Sequence, residues 1–134
     1  MDPDKALKQI VLDFFRAFDE KNTDKISKLC LHQTEIVHHN GVVTDTEEMN
    51  EIINDTKNWY PRERKISEFQ TLIGNPYSIA YFKNEVIFKL PKNKTVEEKY
   101  RETWIFEKDF SGNLKPIRIH YSTITQKKHS EEVK

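Results

Sequence analysis

Glu98–Thr125 reads EKYRETWIFEKDFSGNLKPIRIHYSTIT, two long alternating runs around a five-residue break. The break, Asp109–Asn113, holds Ser111 and Gly112, which suits a hairpin loop. In the first run Tyr100, Trp104 and Phe106 share one face, and Thr103 and Ile105 the other. In the second, Ile117, Ile119 and Tyr121 alternate with Arg118, His120 and Ser122. Apolar groups therefore stand on both faces, and a sheet of that kind is not expected to leave either in water. One face is expected to carry helices of its own chain, the other a second copy of the protein.

Two further strands precede this hairpin, about Lys65–Ile73 and Ser78–Leu90, parted by the turn Gly74-Asn75-Pro76. Alternation in the second places Ala80, Phe82, Val86 and Phe88 on its more apolar face. Before the strands come helices. Asp2 followed by Pro3 is a helix start. Leu7, Ile10, Val11, Phe14, Phe15 and Phe18 then form one apolar stripe of helical period over about five turns. Asn22 and Thr23 break the stripe and cap a shorter helix, with Ile26, Leu29 and Cys30 on its buried side. Thr34–Asn40 reads as a strand ended by Gly41. Thr44-Asp45-Thr46-Glu47 matches a capping box with Thr44 at the cap. The third helix carries Met49, Ile52, Ile53 and Thr56 and stops at Trp59-Tyr60-Pro61, where proline forbids continuation. Helices first and long antiparallel strands last imply an α+β fold: three N-terminal helices packed on a strongly curved antiparallel sheet, with a cone-shaped cavity between them.

Composition sets limits. The 134 residues suit one domain, expected over residues 1–125, with residues 126–134 an unpatterned and disordered tail. Lys and Arg balance Asp and Glu at 22 each, so nucleic acid is not an expected partner. The single cysteine excludes an internal disulfide and reads as a small core residue. No signal-peptide pattern and no bilayer-length apolar run appears, so no membrane partner is expected and a cytoplasmic location is the default.

The helix VLDFFRAFDEKNTDKISKL, the segment IVHHNGVV and the closing TWIFEKDFSGNLKPIRIHYST resemble the nuclear transport factor 2-like superfamily, with its cystatin-like cone. The likeness covers about Ala6–Ile124 and is strongest to SnoaL-like and ketosteroid-isomerase-like members. The closing segment is also similar to the association domain of calcium/calmodulin-dependent kinase II. The fold hosts isomerases, dehydratases, transport factors and assembly domains, so it implies no single function. Compared with ketosteroid isomerases, the catalytic tyrosine falls on Phe14, the base aspartate on His38 and the protonated aspartic acid on Trp104. Phenylalanine cannot donate a hydrogen bond, so that isomerase mechanism is not expected.

The resemblance implies a small-molecule cavity between the first helix and the sheet, for an apolar or partly acidic ligand. Its expected lining is Phe14, Phe18, Trp59, Trp104 and Tyr121, with Tyr81 turned inward by the match to the kinase domain through Ile79-Ala80-Tyr81. That facing requires a bulge in the strand, because plain alternation turns Tyr81 outward. His38 is the candidate proton acceptor for isomerisation, dehydration or cyclisation, with Trp104 or Tyr121 donating to the substrate. Arg62, Arg64 and Lys65 follow the third helix near the expected pocket mouth; they read first as a solvated loop, and alternatively as an attractor for an acidic ligand. No histidine or cysteine spacing suits zinc, and no metal or cofactor is expected. Arg101, Arg118 and His120 belong on the opposite face, at a homodimer contact through the outer sheet. A non-catalytic oligomerisation module is the alternative.

Overall fold

The computed structural model describes residues 2–125, so the expected tail lies outside the described residues. Helix α1 (Pro3–Asp19) starts where Asp2 Oδ1 accepts from the Asp4 amide. Helix α2 (Thr23–Leu29) is capped by Asn22, whose side chain accepts from Lys25 N. Short strands β1 (Glu35–Val37) and β2 (Val43–Thr44) separate it from α3 (Thr46–Asp55). Four long strands follow: β3 (Arg62–Leu72), β4 (Tyr77–Leu90), β5 (Lys94–Lys108) and β6 (Leu114–Thr123). The sheet order is β2-β1-β6-β5-β4-β3, antiparallel except where β1 runs parallel to β6. This is the expected α+β arrangement of three helices on a sheet.

Several local expectations shift. The first strand is three residues long instead of running from Thr34 to Asn40. It ends in a turn in which His38 N donates to the Val42 carbonyl, and Gly41 takes φ 88, a left-handed value glycine adopts freely. The cap of α3 is Asp45 with Glu48, one residue beyond the Thr44–Glu47 pair the sequence suggested. Both spacings fit a capping box, but Thr44 is held in β2. Helix α3 also stops at Asp55, short of Trp59. Gly74 ends the third strand where an added Cβ would meet the Tyr77 carbonyl oxygen at 2.4 Å, so the turn admits no side chain there.

Two bulges decide which side chains face the helices. In β3, Ser67 pairs with Lys83 and Gln70 with Tyr81, with Glu68 at φ 52 in the irregular step. The extra residue reverses the facing, so Arg64 and Ile66 before it and Phe69 after it all point inward. In β6, Phe106 pairs with Pro116 and Ile105 with Arg118, leaving Ile117 unpaired. Pro116 therefore joins Ile119 on the buried face, correcting the alternation that put Ile117 there. β4 has no irregularity with β5. Tyr81 consequently stands on the outer face, 42% exposed, and the expected inward turn of Tyr81 is wrong. Ala80, Phe82 and Val86 are buried instead, as alternation alone requires.

The core lies between α1 and the inner sheet face. Leu7 and Val11 are fully buried. Phe14 meets Trp104 edge-on at 5.0 Å, and Phe15 meets Phe82 edge-on at 6.3 Å. Trp104 continues onto Phe106 at 5.8 Å. Offset and edge-to-face contacts of this kind add to the area buried. The Asp45 cap offers a local test of the corrected helix start. Asp45→Ala should lower unfolding free energy by about 1 kcal/mol in urea melts, and an unchanged midpoint would count against that cap.

Candidate functional site

Below Trp104, α1 and α3 stand off the sheet and leave a cavity of about 360 Å³. Helix α1 contributes Phe14, Phe15 and Phe18 to its wall, and α3 contributes Met49, Ile52 and Ile53. Trp59 closes one side, 5.3 Å from Phe18, with its indole N–H given to the Asp19 carbonyl at 2.9 Å. The sheet side is mixed. Val86, Phe88 and Ile119 lie among Arg62, Arg64, Asn84, Glu98, Tyr100, Glu102 and Tyr121. Apolar walls with a few convergent polar groups are the usual make-up of a small-molecule site.

Phe14, Phe18, Trp59, His38 and Tyr121 all reach this space. Tyr81 does not, for the reason of strand facing given above. Trp104 does not line it either: it is completely buried behind Phe14. Its indole N–H donates to Glu102 Oε1 at 3.0 Å, so it has no donor left for a ligand. The expected role of Trp104 as substrate donor is thus corrected.

Glu102 takes that position. Its second oxygen accepts from Asn84 Nδ2 at 2.7 Å, and the Asn84 carbonyl accepts from Arg64 Nη1 at 3.0 Å. Burial pushes the Glu102 carboxyl above its ordinary range; the two hydrogen bonds and the Arg64 charge only partly oppose this. The sequence offered one signal for it, an even-numbered position shared with Tyr100 and Trp104. Glutamate on an apolar face is easily passed over as a solvated side chain.

His38 is placed by the turn after β1, where alternation no longer applies. Its Nδ1 is 2.7 Å from the Tyr121 hydroxyl and its Nε2 is 2.8 Å from Thr44 Oγ1. Burial, then the neighbouring His39, holds its pKa below the ordinary histidine value. The neutral ring donates through one nitrogen and accepts through the other. Both are engaged, so His38 reaches a ligand only through Tyr121. Burial pushes the Tyr121 hydroxyl up to about 12, so it stays protonated at neutral pH. The same turn brings the His39 ring to 6.0 Å from Tyr121.

At the β3 end, Arg64 binds Asp19 through two hydrogen bonds of 3.0 and 2.5 Å and lies over the Phe15 ring at 4.5 Å. The side chains of Arg62 and Arg64 are only 6% and 10% exposed. Neither is the solvated loop residue the sequence suggested; Lys65 is exposed, but within β3. Cys30 is buried, and burial pushes its thiol up to about 12, so it is an unreactive core residue. Among the described residues no group of three histidine, cysteine or acidic side chains converges as a metal site would need.

No protein-family model and no curated protein sequence matches the chain. Solved structures do. The CaMKII hub of S. rosetta superposes with a TM-score of 0.80 at 15% identity, over 92% of this chain and 98% of that one. A nuclear transport factor 2 (NTF2-like) superfamily protein from Salmonella enterica gives 0.79 at 14% identity, over 92% of each chain. An NTF2-like protein with a cystatin-like fold from Novosphingobium aromaticivorans gives 0.80 at 8% identity, over 96% of this chain and 86% of that one. The fold is the NTF2-like, cystatin-like fold. At such low identity the likeness extends to the fold alone, and the site rests on this chain's own residues.

The Glu102 proton has a readout. A carboxyl raised in the folded state favours folding most below the ordinary value near 4.5, and that contribution is lost as pH rises through its folded value. The Trp104 indole N–H, bonded to Glu102, should show no chemical-shift step near pH 4.5 and should move only at higher pH. A step at the ordinary carboxyl value would mean that Glu102 is ionised.

Proposed function

We propose that the chain binds a small, largely apolar molecule in the cavity between α1 and the sheet, and moves a proton on it. The observation that carries this reading is the Tyr121–His38–Thr44 chain of hydroxyl, imidazole and hydroxyl opening onto an aromatic cavity beside Glu102, whose carboxyl is pushed up by burial. Glu102 and Tyr121 are direct cross-strand neighbours, so both address the same part of a ligand. When Tyr121 donates to His38 Nδ1, its oxygen is free to accept. Taking a proton from an activated carbon, Tyr121 passes its own to Nδ1, and the ring becomes imidazolium. Returning that proton at another carbon completes an isomerisation with no net proton change. Expelling a hydroxyl from the neighbouring carbon instead, with the proton stored on His38 returned to it through Tyr121 as water leaves, gives a dehydration. The Glu102 O–H donates to the oxygen on which charge develops, in a space where water competes little. His38 is here the proton store and Tyr121 the group that touches the ligand.

The test begins with a thermal-shift screen of small apolar ketones and enones. Ligands that bind only the native state raise its melting temperature by mass action. Those that bind should exchange acidic C–H protons with D2O. Tyr121→Phe should abolish that exchange while binding stays within about threefold, as for a group that acts on the reacting state. Exchange that survives the substitution removes the pair from the chemistry.

A second reading concerns assembly, and one observation favours it. On the outer face Leu72, Ile79 and Ile105 form one cross-strand row, and Tyr81 and Thr103 the next, flanked by exposed Arg101, Arg118 and His120. An apolar patch with a polar rim suits a homodimer contact through the outer sheet face. The likeness to a CaMKII hub supports an assembling role, which is compatible with a ligand cavity on the other face. Tyr81→Glu should shift the protein toward monomer in light scattering without changing its circular dichroism. A wild-type protein that is monomeric at high concentration would remove this contact.

A further inference from the structure

Arg62 is held as if for a missing partner. It opens β3 at the cavity rim, where its Nε donates to the Tyr60 carbonyl at 3.1 Å. Its guanidinium lies 4.3 Å from the centre of the Trp59 ring and 4.7 Å from that of Phe88, aromatic faces that fix its plane. Only 6% of the side chain is exposed. Among the described residues, no acceptor lies within hydrogen-bond distance of its two terminal nitrogens. Asp19 Oδ1 stands 3.9 Å from Nη1, and both Asp19 oxygens are already bonded by Arg64. Neither terminal nitrogen is cut off from solvent, so the free edge of the guanidinium is open to the cavity. Two arginines share Asp19, and the charge of Glu98 also acts on Arg62. Glu98 also lines the cavity, but it is exposed and bound by the Tyr100 hydroxyl.

We propose that Arg62 is the binding site for the carboxylate of the ligand, and that the cavity selects a planar monocarboxylate with an apolar body. The inference rests on the small-molecule reading above and gives its ligand a chemical class. The free edge of a guanidinium presents two parallel N–H groups, which match the two oxygens of a carboxylate. One open guanidinium edge suits a monoanion. A phosphate dianion would leave a second charge desolvated among Trp59, Phe18 and Phe88. The aromatic stack contributes twice: it removes the rotamer freedom that an arginine otherwise loses on binding, and it excludes water from the ion pair.

Cinnamate, its neutral amide cinnamamide and inorganic phosphate are suitable probes, titrated calorimetrically into the full chain near neutral pH. Cinnamate should bind at least about tenfold more tightly than cinnamamide, as a charge-assisted pair requires, and phosphate should not compete. Arg62→Met should bring cinnamate down to the level of cinnamamide and leave cinnamamide unchanged. Arg62→Lys should keep only part of the preference, since an ammonium cannot bond both oxygens in one plane. Equal binding of cinnamate and cinnamamide to the wild-type protein overturns the carboxylate site while sparing the cavity reading, and this comparison needs no variant to fold. A preference that persists in Arg62→Met, or phosphate competing with cinnamate, overturns it as well. Failure of both organic probes to bind at millimolar concentration overturns the inference and the cavity reading together.

Discussion

One carboxylate sets how high the first helix rides over the sheet. Asp19, the last residue of α1, is gripped by the Arg64 guanidinium from β3, and its carbonyl takes the Trp59 indole N–H. Two oxygens on two nitrogens in one plane define distance and angle together, which an apolar contact does not. The opposite end of α1 is tied by Asp4 to the Thr71 hydroxyl. Between these ties Phe14 and Phe15 press on Trp104 and Phe82, and the core is dry. Nearer Asp19 the helix is held by polar contacts, and the space beside it stays open.

That division of labour explains the chemistry of the cavity. The Arg64 charge is neutralised by Asp19 and then extended through Asn84 to Glu102 and Trp104 by a run of hydrogen bonds. Each member satisfies the next, which is what allows five polar groups in a wall that is otherwise aromatic. Burial favours the neutral form of Glu102 and of His38 alike. Burial thus acts against a formal charge on either group. At the rim, Arg62 stands 3.9 Å from an Asp19 oxygen that Arg64 already binds.

The two sheet faces differ in what they expose. The inner face owes its polar residues to positions between Asn84 and Tyr121, where helices cover but do not touch the strands. Among the described residues nothing covers the outer face, and its Leu72, Tyr77 and Tyr81 are exposed. Ligand chemistry and association are therefore separable by substitution, because residues on opposite sides of a strand share no contacts.

The sequence by itself determined the elements and their order. The α1 stripe, the Asn22 cap, the loop at Asp109–Asn113 and the long strands all follow from local periodicity and turn chemistry, which act over a few residues. Tertiary structure alone decided what faces the cavity. The bulges at Glu68 and Ile117 reverse strand facing, and a bulge is selected by pairing with a distant partner rather than by its own residues. Tyr81 looked inward by resemblance and points outward because β4 keeps its register. Arg62 and Arg64 looked solvated and are buried, because Asp19, Trp59 and Phe88 come to them from three other segments. Whether a charged side chain meets water or protein depends on what the rest of the chain lays over it, and no window of neighbouring residues records that.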